Sequence, residues 1–170
     1  MKNNSNKMKY KYFIIPFVLL LATSPLMAQD GNNQIKQNDS LNLGIQIINM
    51  QIETLIKKHI AVWNERNVEI RSALIKELYA DDVEVIATFA VAKGHSELSN
   101  FVSLLLARFD GYDRILLKPI NVHSNFVKLS WALADTDKTY AATGQDIIFI
   151  KNGKITKVLT FIDKTKTYLD

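Results

Sequence analysis

The chain contains no cysteine. That excludes a disulfide framework and a thiol-linked lipid anchor, so an exported form must stand on its core alone. Histidine is sparse: His59, His95 and His123 are scattered, with no ligand spacing, and no metal site is expected. Glycine is scarce too, and no glycine-rich phosphate loop or Ser/His/Asp order is present, so no cofactor is expected. Nor do basic residues interleave with aromatics. The formal net charge of +4 is local, because Lys2, Lys7, Lys9 and Lys11 are the excess. Without those four of the 21 Lys+Arg, 17 basic residues balance 17 acidic ones. No nucleic-acid partner is expected.

What is present begins with those lysines. They precede an apolar stretch, Phe13 to Ala22, and the small-residue segment Ser24-Pro25-Leu26-Met27-Ala28. This pattern predicts a cleavable signal peptide over residues 1–28, too short in its apolar core for a comfortable membrane span. The expected location is the periplasm or the medium, with membrane contact only through the export signal. Residues 29–43 are rich in Asn, Gln, Asp and Ser and read as a flexible spacer. A single domain over 44–164 and a tail over 165–170 complete the chain.

Within that domain Ile45, Ile48, Ile52, Leu55/Ile56, His59 and Trp63 recur at helical spacing and predict a helix over 45–65. Asn67 is placed to cap a second helix, which Asp81-Asp82 ends before a short strand, Val83 to Thr88. Past Gly94 a third helix is expected from Ser96 to Arg108. Strands follow: Arg114–His123, interrupted by Pro119; Phe126–Ala134; Thr139–Lys151; and Lys154–Asp163, after the hairpin dipeptide Asn152-Gly153. Helices first and an antiparallel meander afterwards make an α+β domain, with three N-terminal helices on one face of a curved sheet.

Asp146 stands directly before the apolar run Ile147-Ile148-Phe149-Ile150. A carboxylate in a strand core must be paired, neutral or at a cavity, because burying it alone is costly. If Lys151 pairs with Lys154, Asp146 lies opposite Leu159 on a face shared with Gly144, Ile148, Ile150 and Phe161. Pairing 134 with 139 adds Val127, Leu129, Trp131, Leu133 and Ala142 to that face. Trp131 opposite Ala142 sets large against small, which predicts a recess. The structural alternative pairs Asp146 with Lys157, a diagonal neighbour in this register, or bonds it to the backbone.

Three motifs occur in order: Trp63-Asn64 at the end of the first helix; Leu78-Tyr79-Ala80-Asp81-Asp82, then Gly94-His95; and Gly144-Gln145-Asp146 through Asn152-Gly153-Lys154-Ile155 to Phe161-Ile162-Asp163. Together they resemble the nuclear transport factor 2-like superfamily, in particular its SnoaL-like branch of polyketide cyclases and ketosteroid isomerases. The resemblance spans residues 48 to 163. It implies a cone, with three helices on the concave face of a strongly curved mixed sheet and a pocket between them. It also implies a homodimer through the outer sheet face, where Phe149, Val158 and Ile162 are expected. In the steroid isomerases a tyrosine and a protonated aspartate bind the developing oxyanion. By resemblance these positions fall on His59 and Asp146. The isomerase base falls on Ala87, so that reaction is not expected.

The expected site therefore has Asp146 and His59 as catalytic candidates, in a pocket lined by Trp63, Tyr79, Phe101, Leu129, Trp131 and Phe161. A His–Asp pair facing such a pocket suits proton abstraction next to a carbonyl. A buried structural histidine is the competing reading of His59, while His95 is expected at a rim or cap and His123 on the surface. The leading expectation is an exported protein that binds a small hydrophobic or carbonyl-bearing molecule, its catalytic form being cofactor-independent isomerase, cyclase or lyase-type chemistry. The alternative is a non-catalytic envelope interaction module or ligand carrier of the same fold.

Overall fold

The computed structural model describes residues 31–165. The expected signal peptide at 1–28, and the tail beyond residue 165, lie outside the described residues. The chain divides into two compact units, 1–39 and 40–170; the first is described only over 31–39, which are helical.

Helix α1 covers Gly31–Asn64, α2 Val68–Leu78 and α3 Gly94–Arg108. From residue 31 onward, then, the expected spacer is helical. A helix satisfies its backbone bonds internally, so a polar stretch can extend one already nucleated without tertiary contacts. Ile45 and Ile48, expected on the packed stripe, are exposed. Further along α1, Ile52 is half-buried and Ile56, His59 and Val62 are fully buried. Asn67 caps α2 as expected, its side chain accepting from the Ile70 N–H at 3.0 Å.

The strands are β1 Tyr79–Ala87, β2 Ala90–Lys93, β3 Asp113–Leu116, β4 Asn121–His123, β5 Phe126–Ala134, β6 Tyr140–Lys151 and β7 Lys154–Thr165. Strand begins directly at Tyr79, so Asp81-Asp82 lie in β1 rather than at a helix end, both exposed. Spatial order is β2-β1-β7-β6-β5-β3, with β4 also on β5. Among the described residues only β1 and β7 run parallel, making the sheet mixed. The expected Arg114–His123 strand breaks around Pro119 into β3 and β4, which pair with opposite ends of β5. Asn152 and Gly153 both adopt positive φ, the backbone of the tight hairpin that their sequence favours. The second unit is an α+β cone, three helices packed on a curved, unclosed sheet whose inward side chains form one core.

Register decides which side chains enter that cone. Trp131 faces Gly144 and Leu129 faces Asp146. This differs by two residues from the expected pairing, so the faces are conserved. On β7 the difference is one residue. A shift between Phe149 and Ile150 sets Asp146 opposite Thr160 instead of Leu159. Because side chains alternate, a one-residue shift exchanges faces. Phe161 consequently points outward and is 58% exposed, which corrects its assignment to the pocket. Val158 and Ile162, expected outside, face inward; Phe149 alone of that trio is on the outer face.

Candidate functional site

Strands β3, β5 and β6, the first residue of β1 and helix α1 deliver the buried polar cluster. Asp146 on β6 is fully buried, and each of its oxygens has a partner. Oδ1 accepts from the Trp131 indole N–H at 2.9 Å, and Oδ2 from Arg114 Nη1 at 2.9 Å. Gly144 makes room for this. A Cβ there would stand 2.5 Å from Trp131 Cζ2 and press on the Phe161 carbonyl oxygen, so only glycine lets the indole lie across β6. The Arg114 guanidinium sits between two rings, 4.2 Å from Trp63 and 4.3 Å from Trp131. Its backbone is clamped to the end of α1: the Arg114 N–H donates to Asn64 Oδ1 at 2.7 Å, and Asn64 Nδ2 donates to the Arg114 carbonyl at 2.9 Å.

His59 completes the cluster from α1. Its Nδ1 lies 2.8 Å from the Tyr79 hydroxyl, and its Nε2 is 3.8 Å from Asp146 Oδ2. Burial pushes the imidazole below its ordinary pKa, against the opposing pull of Asp146, so the ring is neutral. With Tyr79 donating to Nδ1, the remaining ring proton sits on Nε2 and faces the carboxylate. The reverse tautomer would set a lone pair against it. Burial also raises the Tyr79 hydroxyl, keeping it protonated.

Asp146 itself is pulled both ways. Burial pushes its carboxyl up, but the Arg114 charge, with the His59 and Trp131 groups, outweighs that and holds it below the usual range. Asp146 is thus a carboxylate, not the neutral acid implied by the steroid-isomerase resemblance. Arg114, lowered by burial and supported by Asp146, remains a cation. Lys157, the sequence-level alternative partner for Asp146, instead pairs with Glu84 at 2.8 Å.

Beside this cluster lies a cavity of about 330 Å³, near the lower end of the roughly 300–1,000 Å³ typical of small-molecule pockets. Trp63, Trp131 and Arg114 form its polar-edged wall. Phe101, Leu105, Leu106 and Phe109 line the helical side, and Leu133, Ala142, Thr160 and Ile162 the sheet side. Exposed Phe89 and Arg108 stand at the solvent end.

The structure therefore brings together Asp146, His59, Tyr79, Trp63 and Trp131, but not around a shared void. Trp63, Phe101 and Trp131 line the cavity. Tyr79 and Leu129 are buried core residues that do not line it, which corrects their assignment as pocket walls. His59 and Asp146 are equally absent from the lining; the Arg114–tryptophan layer is what touches it. His95, half-buried in the first turn of α3, joins that helix to β1 with its Nε2 3.2 Å from the Tyr79 carbonyl and does not line the cavity, and His123 is exposed.

Arg114 is the residue that sequence reasoning missed. Its signal was available: carrying the Ser124-Asn125 hairpin register back along the preceding strand puts Arg114 on the Asp146 face. Asn64, Thr160 and Phe89 were also missed, the second because of the one-residue shift on β7.

No protein-family model matches the chain, and no curated relative matches it. Solved structures do. A suspected SnoaL-like isomerase from Agrobacterium tumefaciens superposes with a TM-score of 0.64 at 26% identity, over 68% of this chain and 99% of that one. A suspected polyketide cyclase from Sinorhizobium meliloti gives 0.53 at 14% identity, over 64% and 94%. A protein of unknown function from Mesorhizobium loti, described as nuclear transport factor 2-like, gives 0.53 at 15% identity, over 68% and 93%.

Proposed function

The chain belongs to the nuclear transport factor 2-like superfamily and is SnoaL-like, and from that premise we propose that it binds a small hydrophobic, carbonyl-bearing molecule. One observation carries the reading. A buried cation, Arg114, forms part of the wall of a largely apolar cavity and has an Nε–H with no acceptor among the described residues. A ligand carbonyl that reaches the guanidinium from the cavity would gain a charge-assisted hydrogen bond. Because Asp146 and the two indoles hold the guanidinium rigidly, it is preorganised to stabilise negative charge developing on that oxygen.

In the catalytic form of this proposal water entering from the solvent end takes the α proton of the bound carbonyl compound, and the enolate oxygen so formed is held by Arg114, without a cofactor. Asp146 and His59 then act through Arg114, one as its counter-ion and the other as support for that carboxylate. A second reading has an observation of its own: neither of those groups lines the cavity, which suits a ligand carrier without chemistry. Export remains part of the proposal, supported by the basic and apolar segments before Ala28. So does a homodimer through the outer sheet face. It is supported by the Phe126–Phe149 edge contact, with ring centres 4.8 Å apart, and by exposed Phe161.

Titration with 2-acetylnaphthalene tests the binding reading. Both tryptophans of the chain line the cavity, so saturable quenching of their emission is expected, and filling the void with Ala142→Leu should abolish it. Non-saturable quenching that Ala142→Leu leaves untouched would sink the proposal. Deuterium uptake at the acetyl methyl of the bound ketone separates enzyme from carrier.

A further inference from the structure

The charges around the cavity are one-sided. Two arginines line it and no aspartate or glutamate does, among the described residues. The buried one, Arg114, is already neutralised by Asp146. Arg108 is not: it is exposed, has no carboxylate within 4 Å among the described residues, and only skirts the Phe109 ring at 5.9 Å. Nearby Asp113 is taken by Arg66 at 3.0 Å. A cation in the last turn of α3 also suits the helix dipole, but that role does not require a place on the cavity wall.

Resting on the binding reading above, we propose that the natural ligand is an amphipathic monoanion. It would have an apolar body, a neutral oxygen acceptor at the Arg114 end and a carboxylate at the Arg108 end. The two arginines then divide the work by burial. A second anion placed against Arg114 would share that cation with Asp146, in a region where an unbalanced charge is expensive. A neutral carbonyl avoids this and still accepts from the guanidinium. At the solvent end the carboxylate keeps part of its hydration while gaining a charge-assisted bond from Arg108. Thr160, whose buried hydroxyl has no partner among the described residues, also lines the cavity. A cationic or doubly anionic ligand is disfavoured by the same arrangement.

The test compares 4-oxo-4-phenylbutanoate with its primary amide by calorimetry, on the full chain as purified. The two share an aryl ketone and differ only in the terminal charge. The carboxylate should bind about fivefold more tightly at low salt, the size of an ion pair at a solvent-facing mouth. That preference should shrink as salt is raised and fall to near unity in Arg108→Gln. Equal binding of acid and amide by the unaltered protein overturns the anion inference and leaves the carbonyl-binding reading intact. Binding of neither overturns both.

Discussion

Replacing Asp146 by Asn tests the core of the structure. The amide keeps the volume and can still accept from the Trp131 indole, but it leaves Arg114, 4% exposed, without its counter-ion. Removing one partner of a buried pair costs about 3–5 kcal/mol. That is a large share of the roughly 5–15 kcal/mol by which a domain is stable. Arg114→Met should cost about as much, since it strands the carboxylate. In the double variant no charge is left unpaired, so the two effects should fall short of additivity by about 2 kcal/mol or more. Urea denaturation followed by tryptophan emission reads this directly, because both tryptophans contact the Arg114 guanidinium. A loss below about 1 kcal/mol for Asp146→Asn, with additive effects in the double variant, would refute a buried and mutually dependent pair.

Two further outcomes follow from the same cluster. His59 has a folded pKa below its ordinary 6.5. Below about pH 6.5 the unfolded chain takes up a proton that the native ring refuses, so stability is fully present above that pH and declines as pH falls toward the folded value. Urea midpoints in His59→Gln should lack this decline between about pH 6.5 and 5; an unchanged slope would mean that His59 is not the group responsible. Gly144→Ala should destabilise by about 1–3 kcal/mol, since the added methyl meets backbone and the Trp131 ring together. A thermal midpoint within a degree of the parent's would show that the indole does not lie across β6.

Some of this was legible in the residues. Alternation along β5 and β6, with a two-residue shift that left parity unchanged, put Asp146 and Trp131 on the covered face. The Asn152-Gly153 turn and the Asn67 cap are local devices, encoded by the residues that form them. Phe161, Val158 and Ile162 were misplaced because a single register shift on β7 exchanges faces, and nothing in their immediate neighbourhood announces it. Residues 45 to 48 of α1 show the converse. Ile45 and Ile48 have the spacing of a packed stripe, yet the packed stretch begins only near Ile52.

By itself the sequence determined the class of the fold, the order of its elements and the inward direction of one carboxylate, because these depend on periods of two and 3.6 residues and on turn chemistry. Only the tertiary structure decided which cation meets that carboxylate. Arg114 lies 32 residues away on another strand, and its place is fixed by the Asn64 clamp and two indoles converging from separate elements. The same convergence left a void on one side of the guanidinium and buried His59 and Asp146 on the other. Chain periodicity sets the face a side chain belongs to. Where the faces fail to close is a property of the whole packed core.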